Sequence, residues 1–242
     1  MSCALHLYTF KPNKKVMMKV IPLISDSWLF YKKHLLALCT LLLPFIIPIS
    51  IVSSGIEFAV AKEWYPESIS WLVMILDSAI YPIYQGAIIL YIASVLTEDY
   101  LKRSECYRLA IYFYRPLLLI YILGGIAIGV GFMLMIIPGL IVVSRLSFAN
   151  FYCLLDKSKA MDSLNNSWEN TKNIQWLILS GILILSFAIH FPLWLFEYLL
   201  NSIELWSPVF SFISDVLGYF LSPLITIFVF RVFTLERERI KE

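Results

Sequence analysis

Apolar and polar positions along this chain fall into blocks far longer than a helical turn. Six apolar stretches, near residues 35–60, 69–96, 116–137, 139–155, 176–200 and 208–235, alternate with short segments that hold most of the charge. A helix needs about 20 apolar residues to cross roughly 30 Å of hydrocarbon, and five of the six stretches reach that length. The fourth is shorter and follows the third across Pro138-Gly139 alone. Two readings are open for that pair: a tight hairpin crossing obliquely, or a re-entrant pair shielded by protein. The pattern predicts an all-α fold, a six-span transmembrane helix bundle with short cytoplasmic interfacial helices. Residues 1–15 read as a polar extension, with Met17-Met18 as an alternative start, and residues 16–242 as one polytopic membrane domain.

Composition supports lipid as the solvent. A chain with 60% hydrophobic and 15% charged residues and mean hydropathy +0.79 is too apolar for a single soluble core. Of its 19 Lys and Arg residues, 17 lie in residues 1–34, 97–115 and 156–175 and from Arg231 onward, and the opposite connections hold Lys62 alone. Positive charge is retained on the cytoplasmic side, so both termini are predicted to be cytoplasmic. Lys19 breaks the first apolar stretch and no small-residue cleavage site precedes Leu35, which makes the first span an uncleaved signal anchor. No basic run exceeds Lys14-Lys15 or Lys32-Lys33, too little to follow a phosphate backbone, so no nucleic acid partner is expected. Cys3, Cys39, Cys106 and Cys153 show no CxxC spacing and predict neither a disulfide nor a zinc site.

Three segments precede the odd-numbered spans, and two of them share a motif. Ser27-Trp28-x-x-x-Lys32 and Ser167-Trp168-x-x-x-Lys172 place Trp and Lys four apart, as anchors to membrane lipid with the indole among headgroups and the ammonium reaching phosphate. The middle segment supplies Tyr107-Arg108, Tyr112, Tyr114 and Arg115 instead. One reading is three parallel repeats of interfacial helix plus hairpin, unlike the inverted repeats of many transporters. The other is that any helix entering a membrane carries such residues at that depth.

The chain has no HExxH, no GxSxG and no Gly-rich phosphate loop, and its only histidines are His6, His34 and His190; no catalytic, cofactor or metal site is predicted. His190, beside Pro192 in an apolar helix, reads as a packing residue. Gly125-xxx-Gly129 and Ala127-xxx-Gly131 read as close helix packing. Ionisable residues within spans cost about 2.5–3.5 kcal/mol each unless paired or hydrated, and here they are Asp77, Arg145 and Asp215. Counted from the outer ends of their spans at 1.5 Å per residue, all three lie about 10–12 Å deep. Each opens a polar stripe with spacing four then three: Asp77, Tyr81, Tyr84; Arg145, Ala149, Tyr152; Asp215, Tyr219, Ser222. Gln85 and Thr226 extend two of these, so the even spans are expected to turn polar faces to a common interior. Three readings are open for the charges: a structural clamp with Arg145 between two carboxylates, an ion- or proton-responsive site, or an Asp215 that lies nearer the outer interface and is simply hydrated.

The run Ile137-Pro138-Gly139-Leu140-Ile141, with Arg145, Asp156, Ala160 and Ser167-Trp168-x-x-Thr171-x-x-x-x-Trp176, resembles the YciC-type family of bacterial inner-membrane proteins. More distantly it resembles the membrane domains attached to some glycerophosphodiester phosphodiesterases. The likeness extends to Asp26-x-x-x-Phe30 and to Phe230-Arg231-Val232-Phe233. It implies a polytopic inner-membrane protein without an assigned activity, and no phosphodiesterase domain is present to carry over that chemistry. The expected function is a non-enzymatic membrane component of unidentified partner or solute. The alternative is a transporter or permease-like protein for a small or lipid-like solute.

Overall fold

The computed structural model describes residues 19–202 and 207–241; the extension at 1–15, with Cys3 and His6, and also Glu204, lie outside them. Every regular element among the described residues is helical. Helix α1 (Val20–Lys33) turns at His34 into α2 (Leu35–Ala61), and α3 (Ser70–Leu96) returns after a 3-10 turn at Glu67–Ile69. Helix α4 (Arg103–Tyr112) turns at Phe113 into α5 (Tyr114–Leu134), whose return is split into α6 (Ile136–Leu146) and α7 (Ala149–Leu155). The last unit repeats the order: α8 (Ala160–Asn170), α9 (Gln175–Ser202), then a split return, α10 (Pro208–Leu221) and α11 (Pro223–Lys241). Six spans are long and apolar enough to cross a membrane, and the chain is a multi-pass membrane protein.

The turn between the third and fourth spans lies at Met135, in extended conformation, rather than at Pro138-Gly139. Pro138 sits in the first turn of α6, where its missing N–H has no helical acceptor to leave empty. Gly131 and Gly139 let the two helices touch: a methyl group on Gly131 would stand 2.9 Å from Gly139 Cα. Gly125 and Gly129 do not take part, since a methyl on either meets no atom within 4 Å. Of the two small-residue pairs expected to pack closely, the contact is made by Gly131 of the Ala127–Gly131 pair.

The units are arranged cyclically. Each even span packs on the odd span of the next unit, α3 on α5, α6 on α9, and α10 on α2, the last contact closing the ring. Each short helix folds back on the preceding even span, α4 on α3, α8 on α7, and α1 on α11. Buried positions on the short helices recur at a spacing of four: Leu23, Ser27 and Tyr31; Cys106 and Ala110; Ser163, Ser167 and Thr171. Aligning the two Ser-Trp motifs puts Tyr31 opposite Thr171, and the structure bears this out atom by atom. Tyr31 OH donates to Phe220 O at 2.9 Å, and Thr171 Oγ1 stands 3.2 Å from Arg145 O. Both carbonyls lie two residues before the break in their span, at Ser222 and Ser147, and both serines turn back to carbonyls three residues earlier at 2.8 Å.

Tyrosine bonds to span carbonyls cluster next to three of the prolines. A proline inside a helix offers no N–H and pushes the preceding turn open, and in lipid the freed carbonyls need a partner from protein. Three tyrosine hydroxyls each donate to the carbonyl three residues before a proline: Tyr107 to Leu41 ahead of Pro44 (2.6 Å), Tyr114 to Ala79 ahead of Pro82 (3.1 Å), and Tyr31 to Phe220 ahead of Pro223. At the proline-free break, Ser167 Oγ donates to Arg145 O at 2.6 Å and accepts from Phe148 N at 3.0 Å. The same end of the bundle is filled by interlocking rings, Phe148 on Phe233 and Phe151 on Phe230, each pair 5.2 Å apart. Ion pairs Arg231–Asp26 and Arg237–Asp156 tie α11 to α1 and to the end of α7.

Two outcomes follow for thermal unfolding in detergent or nanodiscs. Tyr31→Phe and Tyr107→Phe should each destabilise by about 0.5–1.5 kcal/mol, the net worth of one hydrogen bond. A methyl on Gly181 would collide with the fully buried Phe228 ring, whereas one on Gly55 meets nothing within 4 Å. Gly181→Ala should therefore cost about 1–3 kcal/mol through overpacking, and Gly55→Ala should be neutral or mildly stabilising.

Candidate functional site

The breaks in two even spans and the Pro82 region of the third border a cavity of about 560 Å³ that is open to one side. Tyr81 and Gln85, flanking Pro82 on α3, form one wall. Ser147 and Asn150 come from the α6–α7 break, and Ser222 and Thr226 from the α10–α11 break. Tyr121, Gly124 and Gly125 of α5 and Ile182 of α9 complete it, and no Asp, Glu, Lys, Arg or His lines it. Irregular backbone at membrane depth is tolerated where it is buried or borders such a cavity, which accounts for the coincidence of breaks and open space.

Gln85 Nε2 donates to Thr226 Oγ1 at 2.9 Å, joining α3 to α11 across the interior. The Tyr81 and Tyr121 rings lie 5.0 Å apart. No hydrogen bond among the described residues engages the Asn150 amide or the Tyr81 and Tyr121 hydroxyls, although all three residues line the cavity. Neutral donors and acceptors are thus presented to the open space without protein partners, inside an otherwise apolar wall.

Of the stripe residues expected to share an interior, Tyr81, Gln85, Ser222 and Thr226 reach the cavity. Tyr84 is buried beside Tyr81, 5.3 Å between rings, and faces Asp77 together with Tyr219. Tyr152 does not join them. It accepts a hydrogen bond from Asn170 Nδ2 at 2.8 Å and packs on Phe233, because the break at Ser147–Phe148 ends the helical phase that would have aligned it with Arg145. Sequence reasoning missed Tyr121, Ser147 and Asn150. The first lies on an odd span, and the other two become cavity residues only through the break.

The expected charge clamp does not form. Arg145 Nη1 donates to Trp168 O at 2.6 Å, and its guanidinium lies 5.0 Å from the Trp168 ring centroid. Asp77 stands beside Tyr84 and Tyr219, with its Oδ1 buried and unpartnered. Asp215 neighbours Ser53 and two further carboxylates, Glu57 and Glu197. Among the described residues no ion pair joins Arg145 to either aspartate. Nor do the three share a level: Arg145 meets the turn leading into α9, whereas Asp215 neighbours Glu197, about 33 Å further along α9 at 1.5 Å per residue. Equal counting from outer ends fails because the α5–α6 hairpin turns well short of the end of α9.

The interfacial anchors are placed unequally. Lys32 Nζ sits 5.4 Å from the Trp28 ring, as the four-residue spacing on α1 implies. Helix α8 ends at Asn170, before Lys172, which removes the common helical face; Lys172 is exposed and Arg145 takes the place over Trp168. No known protein family, curated protein or solved structure matches the chain.

Double-mutant cycles read by thermal unfolding separate these arrangements. Asp77→Asn and Arg145→Leu should add within about 0.5 kcal/mol, as distant sites do. Arg145→Leu and Trp168→Leu should couple by about 0.5–1 kcal/mol, the range of a partly exposed cation–π contact.

Proposed function

We propose that this protein is a non-enzymatic component of a bacterial inner membrane, with both termini cytoplasmic, that acts through the interior of its bundle. The observation carrying this reading is the chemistry of that interior. Its convergent polar groups are amides, phenols and aliphatic hydroxyls, which recognise a ligand by hydrogen bonding and offer no group that titrates near pH 7 for acid–base work. Orientation rests on the partition of positive charge, and the bacterial inner membrane on the YciC-type resemblance.

The alternative, a transporter or permease-like protein for a small or lipid-like solute, is favoured by the cavity itself. Ligand pockets commonly occupy roughly 300–1,000 Å³, and transporters place broken helices around mid-membrane sites. The α6–α7 and α10–α11 breaks border this one, together with the Pro82 region of the continuous helix α3. The cavity does not reach Asp77 or Asp215, so the reading concerns a neutral solute rather than an ion-coupled cycle.

Topology is tested with single cysteines in a background lacking Cys3, Cys39, Cys106 and Cys153. Residues Glu63 and Ser202, replaced by Cys, should label in intact cells with an impermeant maleimide, and Lys159→Cys only after the membrane is opened. Labelling of Lys159→Cys in intact cells would overturn the six-span orientation.

A further inference from the structure

We propose that the cavity binds an uncharged single-chain amphiphile, of the monoacylglycerol or long-chain alcohol class, admitted sideways from the lipid across the face of α5 that carries Tyr121 and Gly125. The inference rests on the solute-handling reading and adds the ligand class and route.

The head of the ligand is defined by what the wall can and cannot satisfy. Asn150, Tyr81 and Tyr121 present an amide and two hydroxyls with no hydrogen bond to a described residue, and Gln85 uses one donor on Thr226. These groups match a hydroxyl or ester. A phosphate or carboxylate would enter with no counter-charge, since the wall holds no ionisable side chain other than tyrosine, and an unpaired charge in such surroundings is strongly disfavoured. The rest of the wall, including Ile89, Ile120, Ile128, Val143 and Leu146, is aliphatic and suits a chain. A small polyol would leave most of its hydroxyls against hydrocarbon.

The route follows from α5. Tyr121 and Gly125, one turn apart, line the cavity and are exposed on the same helix. A methyl on Gly125 or Gly129 meets nothing within 4 Å, so this stretch of α5 presents bare backbone with no neighbouring helix against it. The lipid-facing surface and the cavity wall are here parts of one helix face. A bulky side chain at Gly125 would stand in the opening, whereas Gly55, equally free of neighbours, is remote from the cavity lining.

The test uses the full chain in nanodiscs of phosphatidylethanolamine and phosphatidylglycerol, with a monoacylglycerol carrying a diazirine in its chain. Crosslinks mapped by peptide mass spectrometry should fall at residues 81–89 and 147–151 and be competed by unlabelled monooleoylglycerol. Gln85→Leu with Asn150→Leu should lower the competed fraction roughly tenfold, the consequence of losing about 1.4 kcal/mol, while Asn150→Gln, which keeps the amide, should retain labelling at unchanged thermal stability. Gly125→Phe should slow labelling and Gly55→Phe should not. Equal competed labelling by a diazirine fatty acid at alkaline pH would overturn the neutral class, and indifference to Gly125→Phe would overturn the lateral route. If the amphiphile fails to label but a small water-soluble maleimide reaches Ser147→Cys, the amphiphile inference falls and the solute reading stands; if neither enters, both fall.

Discussion

A carbonyl released from its helix inside hydrocarbon has no water to accept from, and this requirement organises the bundle. Prolines at 44, 82 and 223 each remove the donor to the carbonyl four residues earlier, and beside each a tyrosine from a short helix or from the first residue of the following span donates to the next carbonyl along. Where no proline is present, at Ser147–Phe148, Ser167 bonds both the freed carbonyl and the freed amide. The short helices are therefore structural partners of the spans, packing on the even ones, while α4 also bonds α2 through Tyr107. Their burial at every fourth residue is the trace of that attachment.

The cyclic arrangement has a physical consequence for the chain ends. Because α1 docks on α11 as α4 docks on α3 and α8 on α7, the first described helix completes the last unit, and the ring is held shut by Tyr31–Phe220, the Asp26–Arg231 pair and the contact of α10 with α2. Stability of the first span is thereby linked to residues nearly two hundred positions later. Ring packing near Phe148, Phe151, Phe230 and Phe233 fills one end of the interior, and the space left by the helix breaks remains above it. Structural necessity and candidate function coincide there: the breaks that must be shielded also border the cavity that presents unpartnered amide and phenol groups.

Charges inside the spans take a different course from the one their positions imply. Arg145 gains a carbonyl and an indole face, a partly exposed cation–π setting with no carboxylate partner. The carboxylates Glu57, Glu197 and Asp215 gather instead at the far end of α9 with serine neighbours. Segregating the two signs leaves the cavity between them electrically neutral, and that neutrality decides which ligands it could hold.

Hydropathy alone determined the six spans and the all-α class, because apolar runs of that length have one stable solution in lipid. The Ser27-Trp28 and Ser167-Trp168 motifs marked two short helices that dock on the return of a span, but not the contacts: Ser27 bonds Leu23 O of its own helix whereas Ser167 bonds Arg145 O across the α6–α7 break. Tertiary structure decided the rest. The stripe ending in Tyr152 was legible only as long as α6 continued, and one unpaired turn at Ser147–Phe148 moved Tyr152 away from it and brought Asn150 into the cavity. Depth along each span could be counted, but how far each hairpin rises could not, so Arg145 and Asp215 seemed level and lie at opposite ends of α9. Period and length are local properties of the chain; the rotation about each helix axis and the height of each hairpin are set by which neighbours satisfy its backbone, and that is known only once the ring has closed.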